Sequence, residues 1–98
     1  MRERDLERKL VGAIRAVGGI CVKLVSPGTD GMPDRMALLP EGKIAFVEVK
    51  APGKRLRALQ LARQKQLEAL GFKAFVLDDP LRVDALVKEV MRDEVHSS

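Results

Sequence analysis

The sequence predicts an α/β fold in which helices flank a mixed four-stranded sheet. Three observations predict it: an apolar stripe at helical spacing near the N-terminus, four short β-rich runs bounded by turn residues, and two further helical stretches around the last run. The resulting order is αβββαβα. A chain of 98 residues has the size of one small domain, which we expect to span 1–98.

Each element rests on a local pattern. Leu6, Leu10, Ile14 and Val17 form the apolar stripe of a helix over 3–17, and glycines follow it. A later helix over 56–70 ends at Gly71. The remaining predictions are strands over 20–25, 34–39, 44–50 and 72–77, a helix over 80–92 and a frayed tail over 93–98. The residues expected to pack the last two helices are Leu59, Leu67, Leu70, Leu81, Ala85, Val87 and Val90.

Composition limits the classes of function. Hydrophobic residues make up 46% of the chain and charged residues 33%, which is typical of a soluble globular protein. No apolar run approaches the ~20 residues of a membrane helix, and we expect no membrane partner. Cys21 and His96 are the single cysteine and histidine, so a disulfide framework and a Cys/His zinc site are excluded. Any metal must therefore have oxygen ligands.

Positive charge is concentrated in one window. Six basic residues and no acid lie between Lys50 and Gln66, and this +6 exceeds the +4 of the whole chain. A solvated helix face is one interpretation, and a surface for the phosphate backbone of DNA is the other.

An acid and a base lie where a buried strand predicts apolar residues. The third strand is apolar on both faces, which favours a central position, yet Glu48 and Lys50 share one of its faces. A buried ion pair is one explanation. If Pro40-Glu41-Gly42 is a three-residue hairpin loop, Leu39 faces Lys43 and Asp34 faces Glu48. Two facing carboxylates repel, so the arrangement favours a cation between them, either Lys50 or a divalent metal.

The first helix offers a third acid. At about 100° per residue, Glu3 falls within the apolar stripe and Glu7 about 40° from it, so both are expected to point inward. Acids at a helix N-terminus are also favoured by the helix dipole, which accounts better for Glu3 than for Glu7.

These residues resemble a known signature. Pro33-Asp34 followed by Glu48-Val49-Lys50 is similar to the PD-(D/E)XK motif of the restriction-endonuclease-like superfamily. More narrowly, the segments 31–35 and 46–53, with Gln60 ten positions after Lys50, resemble the virus-type replication-repair nuclease domain, VRR-NUC.

The resemblance implies a site and a reaction. It implies that Asp34, Glu48 and the Val49 backbone carbonyl bind Mg²⁺ or Mn²⁺, that Lys50 is catalytic, and that Gln60 supports the site. One acid of the first helix would complete it, with Glu7 favoured and Glu3 as the alternative. The residues expected to contact DNA are Lys23, Ser26, Arg35, Lys54, Arg55, Arg57 and Arg63, and Gly28 and Gly31 would let their loop approach the DNA backbone.

The resemblance further implies a homodimeric endonuclease acting on branched DNA, similar to Holliday-junction resolvases, in the cytoplasm of a bacterial or phage-infected cell. Two other interpretations remain: a catalytically inert DNA-binding module on the same fold, and a sequence-specific restriction enzyme. The short chain leaves little for reading bases in the major groove, which disfavours the last.

Overall fold

Residues 1–93 are the part of the chain that the computed structural model describes. Its helices and strands are α1 (Glu3–Ala16), β1 (Ile20–Lys23), β2 (Arg35–Leu39), β3 (Lys43–Val49), α2 (Ala58–Ala69), β4 (Lys73–Leu77) and α3 (Val83–Met91), with 3-10 turns at Pro40–Gly42 and Pro80–Arg82. The order confirms the predicted αβββαβα fold class, and the bounds lie within a few residues of the prediction. No helix in these residues is long and apolar enough to cross a membrane.

The sheet has the order β1-β2-β3-β4. β1 and β3 both run antiparallel to β2, whereas β4 runs parallel to β3 after the crossover through α2. Since β3 pairs on both sides, its predicted central position is confirmed, and Ala45, Val47 and Val49 are fully buried.

The main core lies between one face of the sheet and the helices α1 and α3. Leu6, Leu10 and Ile14 are fully buried there, which confirms the predicted stripe. The other face of β3 carries Phe46 and Glu48, and α2 packs on this side against β4.

Several packing predictions for the later helices are wrong. Leu59 and Leu70 are half or more exposed, because α2 lies at one side of the sheet and buries only a narrow stripe that includes Leu67. Leu81 is 85% exposed, since the 3-10 turn delays the start of α3. The residues that α3 buries are Val83, Leu86, Val87 and Val90, and Ala85 is exposed.

The hairpin between β2 and β3 has the predicted register. Leu39 pairs with Lys43, and both Glu41 and Gly42 have positive φ, of 67° and 72°. The left-handed Glu41 was not predicted, because the turn pattern placed only Gly42 in that region. Asp93 was predicted to fray, yet its carboxylate pairs with the Lys43 ammonium at 2.7 Å. The rest of the predicted tail, with His96, lies outside the described residues.

Candidate active site

Two carboxylates meet where β2 begins and β3 ends. Arg35 pairs with Val47, so the preceding Asp34 lies across from Glu48, as the hairpin register predicts. Asp34 Oδ1 also accepts a hydrogen bond from the backbone N–H of Val49 at 3.1 Å. Glu48 is 8% exposed, and Asp34 is half-buried. A buried antiparallel ladder thus holds two acids side by side.

The electrostatics of this pair disfavour two negative charges. Burial, together with the charge of Glu48, raises the pKa of Asp34 from 3.8 to about 6. Burial also raises the pKa of Glu48, although the positive charge of Lys50 opposes the shift. A cation bound between the two acids would relieve this repulsion.

Lys50 supplies one positive charge. Its Nζ lies 3.6 Å from Glu48 Oε2, and both side chains are less than one-fifth exposed. The backbone N–H of Lys50 donates to the carbonyl of Leu77, which fixes the residue just after β3. The ion pair considered from the sequence is therefore present, but Asp34 forms no ion pair within residues 1–93.

Gln60 connects α2 to this cluster. Its Nε2 donates to Glu48 Oε2 at 3.1 Å, and its Oε1 accepts from the backbone N–H of Arg57 at 2.9 Å. The side chain is 8% exposed. The amide therefore orients Glu48 and closes the N-terminus of α2 at the same time.

The two acids of α1 have different environments. Glu7 Oε2 accepts a hydrogen bond from the Arg35 guanidinium at 2.8 Å, and the charge of Glu7 also raises the pKa of Asp34. Glu3 is exposed rather than inward, because it is the first residue of the helix, yet its negative charge raises the pKa of both Asp34 and Glu48. Both acids are thus close enough to act on Asp34, and Glu3 acts on Glu48 as well.

The predicted DNA contacts divide into two groups. Lys23, Lys54, Arg55 and Arg57 are exposed, and Ser26 is half-buried. Two arginines have protein partners instead: Arg35 bonds Glu7, and Arg63 donates to the Asp30 carbonyl at 3.0 and 3.2 Å and to Gln66 at 2.7 Å.

The loop before Asp34 is tied to α2 by contacts that the sequence analysis missed. Gly31 has a φ of +81°, and a Cβ atom there would lie 2.7 Å from the Leu59 carbonyl oxygen. The absence of a side chain at Gly31 therefore lets α2 pack closely against the loop, whereas the sequence suggested that the glycine lets the loop approach DNA. Arg63 holds the neighbouring Asp30 carbonyl from the same helix. In the sequence, the glycine was the one sign that another part of the molecule packs closely against this loop.

The donor set of the site consists of oxygens. In residues 1–93, no group of three or more His, Cys, Asp or Glu side chains is arranged to hold a metal ion. Asp34, Glu48 and the Val49 carbonyl remain, and Mg²⁺ suits such a set because it retains several waters and needs few protein ligands. The raised pKa of Asp34 beside Glu48 fits the same ion, since a dication favours both ionised carboxylates.

Comparison with known proteins decides the family. The family model described as "VRR-NUC domain" matches residues 9–79. The chain belongs to the VRR-NUC family. A relative, "Putative nuclease p44" of Acyrthosiphon pisum secondary endosymbiont phage 1, is 50% identical over 78 residues, which are 80% of this chain and 84% of that protein.

A solved structure described as "VRR_NUC domain" has the same fold. It superposes with a TM-score of 0.82 at 31% identity, covering 88% of this chain and 94% of that one. The resemblance on which the sequence analysis relied is therefore confirmed. The family match includes Asp34, Glu48, Lys50 and Gln60, and it begins after Glu3 and Glu7.

Proposed function

We propose that this VRR-NUC chain is a metal-dependent endodeoxyribonuclease that cleaves branched DNA such as four-way junctions. The observation that carries the proposal is the juxtaposition of Asp34 and Glu48 at one end of the sheet, with Lys50 Nζ 3.6 Å from Glu48. The name of the phage relative, which calls it a nuclease, supports the same class of reaction. We take residues 1–98 as one catalytic unit, acting on DNA in the cytoplasm of a bacterial or phage-infected cell.

Asp34, Glu48 and the backbone carbonyl of Val49 would hold Mg²⁺ or Mn²⁺. When bound, such an ion polarises the scissile phosphate and lowers the pKa of a bound water. The backbone N–H of Val49 orients Asp34, and the amide of Gln60 orients Glu48, so both acids present fixed oxygens to the site. Pre-oriented ligands of this kind raise metal affinity.

Lys50 would act on the nucleophile and the phosphate. Its ammonium lies beside Glu48, where it can orient the attacking water and stabilise negative charge as it develops on the phosphate oxygens. Such a role needs a positive charge held in a poorly solvated place. The side chain of Lys50 is 17% exposed, which meets this requirement.

Glu3 is the acid of α1 that best completes the site. Glu7, which the sequence analysis favoured, has one carboxylate oxygen bonded to Arg35 at 2.8 Å. Glu3 has no ion pair within residues 1–93, and its charge raises the pKa of both Asp34 and Glu48, whereas the charge of Glu7 raises the pKa of Asp34 alone of the two.

The preference for branched DNA rests on symmetry and charge. A four-way junction requires two paired incisions, and one chain offers one carboxylate cluster. A homodimer would present two clusters related by a two-fold axis. Lys54, Arg55 and Arg57 are exposed between β3 and α2, next to Lys50, and would contact the arms that leave the cut site.

The test is cleavage of labelled four-way junction, flap and linear duplex with Mg²⁺, Mn²⁺ or EDTA, alongside light scattering of the free protein. We expect a dimer that cuts the junction fastest and is inactive in EDTA. Asp34→Asn, Glu48→Gln and Lys50→Ala should lose cleavage and keep DNA binding. The matched controls Glu68→Gln and Lys88→Ala change exposed residues elsewhere and should remain active.

Two results would contradict the proposal. Binding without cleavage under every metal condition would support the inert DNA-binding module. Equal cleavage of linear duplex by a monomer would leave a nuclease without preference for branched DNA.

A further inference from the structure

A groove on α1 carries a second concentration of positive charge. Its volume is about 410 Å³, and four arginines line it, with Glu7 and Gly12. Three of the arginines, Arg4, Arg8 and Arg15, come from α1, and Arg35 comes from β2. This α1 groove shares no lining residue with the basic window at 50–66 or with the carboxylate cluster.

The three α1 arginines form one exposed row. At about 100° per residue, Arg4, Arg8 and Arg15 lie within about 40° of one another around the helix. All three are exposed. Eleven residues of helix span about 16 Å, close to the rise of five base pairs of B-form DNA. The row thus matches a run of backbone phosphates.

The sheet places further positive charge beside this row. Lys23 is directly opposite Arg35 in the antiparallel ladder, so both side chains lie on the α1 face. Like charges at such positions repel unless an anion lies between them. Glu7 neutralises Arg35, but Lys23 has no ion pair within residues 1–93. Four arginines and one carboxylate therefore line the groove, and Lys23 adds a fifth positive charge opposite Arg35.

Gly12 leaves the floor of the groove open. A glycine inside a helix is destabilising, and neither a positive φ nor a close neighbour requires one here. A Cβ atom at Gly12 would meet nothing within 4 Å, and the residue is exposed between Arg8 and Arg15. The bare backbone allows a group from solvent to approach the helix closely.

We propose that the α1 groove binds the sugar-phosphate backbone of the DNA substrate, which makes α1 a second DNA-contact surface. The inference rests on the proposed function, since it assigns a further surface to the same substrate. One end of the groove lies near the active site across the start of β2, because Arg35, on the α1 face, directly follows Asp34, which faces Glu48 on the other side of the sheet. The backbone can therefore pass from the carboxylate cluster onto α1.

The test compares two triple variants in an Asp34→Asn background, which prevents cleavage during the binding measurement. One carries Arg4→Gln, Arg8→Gln and Arg15→Gln. The control removes the same charge from exposed sites outside the groove, with Lys9→Gln, Arg82→Gln and Lys88→Gln. The measurement is junction binding between about 50 and 200 mM salt.

We expect the groove variant to lose affinity at least about 10-fold at low salt, and its log–log salt slope to fall by about 2 to 3, because each phosphate contact contributes about 0.9. The control should keep the slope of the parent. If both triples keep that slope while the wild-type chain binds and cuts DNA, the groove assignment is overturned and the proposed function stands. If the wild-type chain does not bind DNA, the proposed function itself fails.

A single substitution separates binding from folding. Gly12→Glu places a carboxylate on the floor of the groove and replaces a helix-destabilising residue. We expect unchanged or higher Tm together with weaker DNA binding, whereas Ala85→Glu, which adds the same charge at an exposed position of α3, should bind like the parent. Equal DNA affinity for the two variants would contradict the assignment.

Discussion

The amide of Gln60 donates to the carboxylate of Glu48 across 3.1 Å, while its carbonyl oxygen accepts from the backbone N–H of Arg57. One buried side chain therefore links the N-terminus of α2 to an acid of the central strand. Because the amide uses both of its ends, neither contact can change without disturbing the other. The position of α2 and the orientation of Glu48 are coupled.

Gln60→Ala should weaken metal binding more than it weakens the fold. The change leaves Glu48 without its neutral donor, and loss of such a supporting hydrogen bond typically costs 10–100-fold in metal affinity or activity. We expect the Mn²⁺ concentration for half-maximal cleavage to rise by about that factor. Gln64→Ala is the control, because Gln64 bonds the Ala74 carbonyl and not the site. Similar metal dependence in the two variants would contradict the assigned role.

Glu3→Gln and Glu7→Gln should have opposite signatures. Glu3→Gln removes a charge near Asp34 and Glu48 without breaking an ion pair, so cleavage should fall while the free energy of unfolding stays nearly unchanged. Glu7→Gln removes the partner of Arg35 and should cost about 1–3 kcal/mol of stability. Denaturant unfolding and single-turnover cleavage measure the two effects. If only Glu7→Gln loses cleavage, Glu7 and not Glu3 is the acid of α1 that completes the active site.

Stability of the metal-free protein should fall as pH rises through the titration of Asp34. The folded-state pKa is about 6, above the ordinary 3.8, so the folded state binds more protons than the unfolded state between these values. The free energy of unfolding in EDTA should therefore decrease from about pH 4 towards neutrality. Asp34→Asn should flatten this decrease, and Mn²⁺ should oppose it by binding the ionised form. Asp84→Asn, at an exposed position of α3, is the control. If Asp34→Asn and Asp84→Asn show the same dependence of unfolding free energy on pH, the prediction is wrong.

Arg63→Ala should slow cleavage without removing a phosphate contact. Its guanidinium holds the Asp30 carbonyl and Gln66, so the change should loosen the loop before Asp34. We expect a lower single-turnover rate at saturating DNA and a salt slope close to the parent. Arg55→Ala is the comparison. Arg55 is exposed, so its loss should lower the salt slope by about 0.9 and leave the cleavage rate unchanged. If Arg63→Ala lowers the salt slope as much as Arg55→Ala does, Arg63 contacts DNA and the assigned role is wrong.

The sequence predicted the backbone of the site well because the signals were local. The Pro40–Gly42 loop set the register that brings Asp34 opposite Glu48, and the alternation of β3 placed Glu48 and Lys50 on one face. The family motif added Gln60, whose bond to Glu48 spans two elements.

Side-chain partners across elements were harder to predict. Helical angles placed Glu3 and Glu7 similarly, but they do not show that Arg35 emerges from β2 beside Glu7. Charge counts assigned Arg63 to DNA, because the Asp30 carbonyl that it binds is a backbone group without a sequence signature. The exposure of Leu59 likewise depends on how little of the sheet α2 covers.

Gly31→Ala should destabilise the chain more than Gly28→Ala. Both glycines have a φ of +81°, so each alanine adds left-handed strain of about 1–2 kcal/mol. Only at Gly31 would the new Cβ also lie 2.7 Å from the Leu59 carbonyl oxygen, a backbone atom that can move only with α2; at Gly28 nothing lies within 4 Å. We expect the overpacking at Gly31 to cost about 1–3 kcal/mol more in denaturant unfolding. Because α2 also carries Gln60, Gly31→Ala should lower metal affinity as well, which Gly28→Ala should leave unchanged. Equal stability and equal metal affinity in the two variants would show that the loop does not depend on its contact with α2.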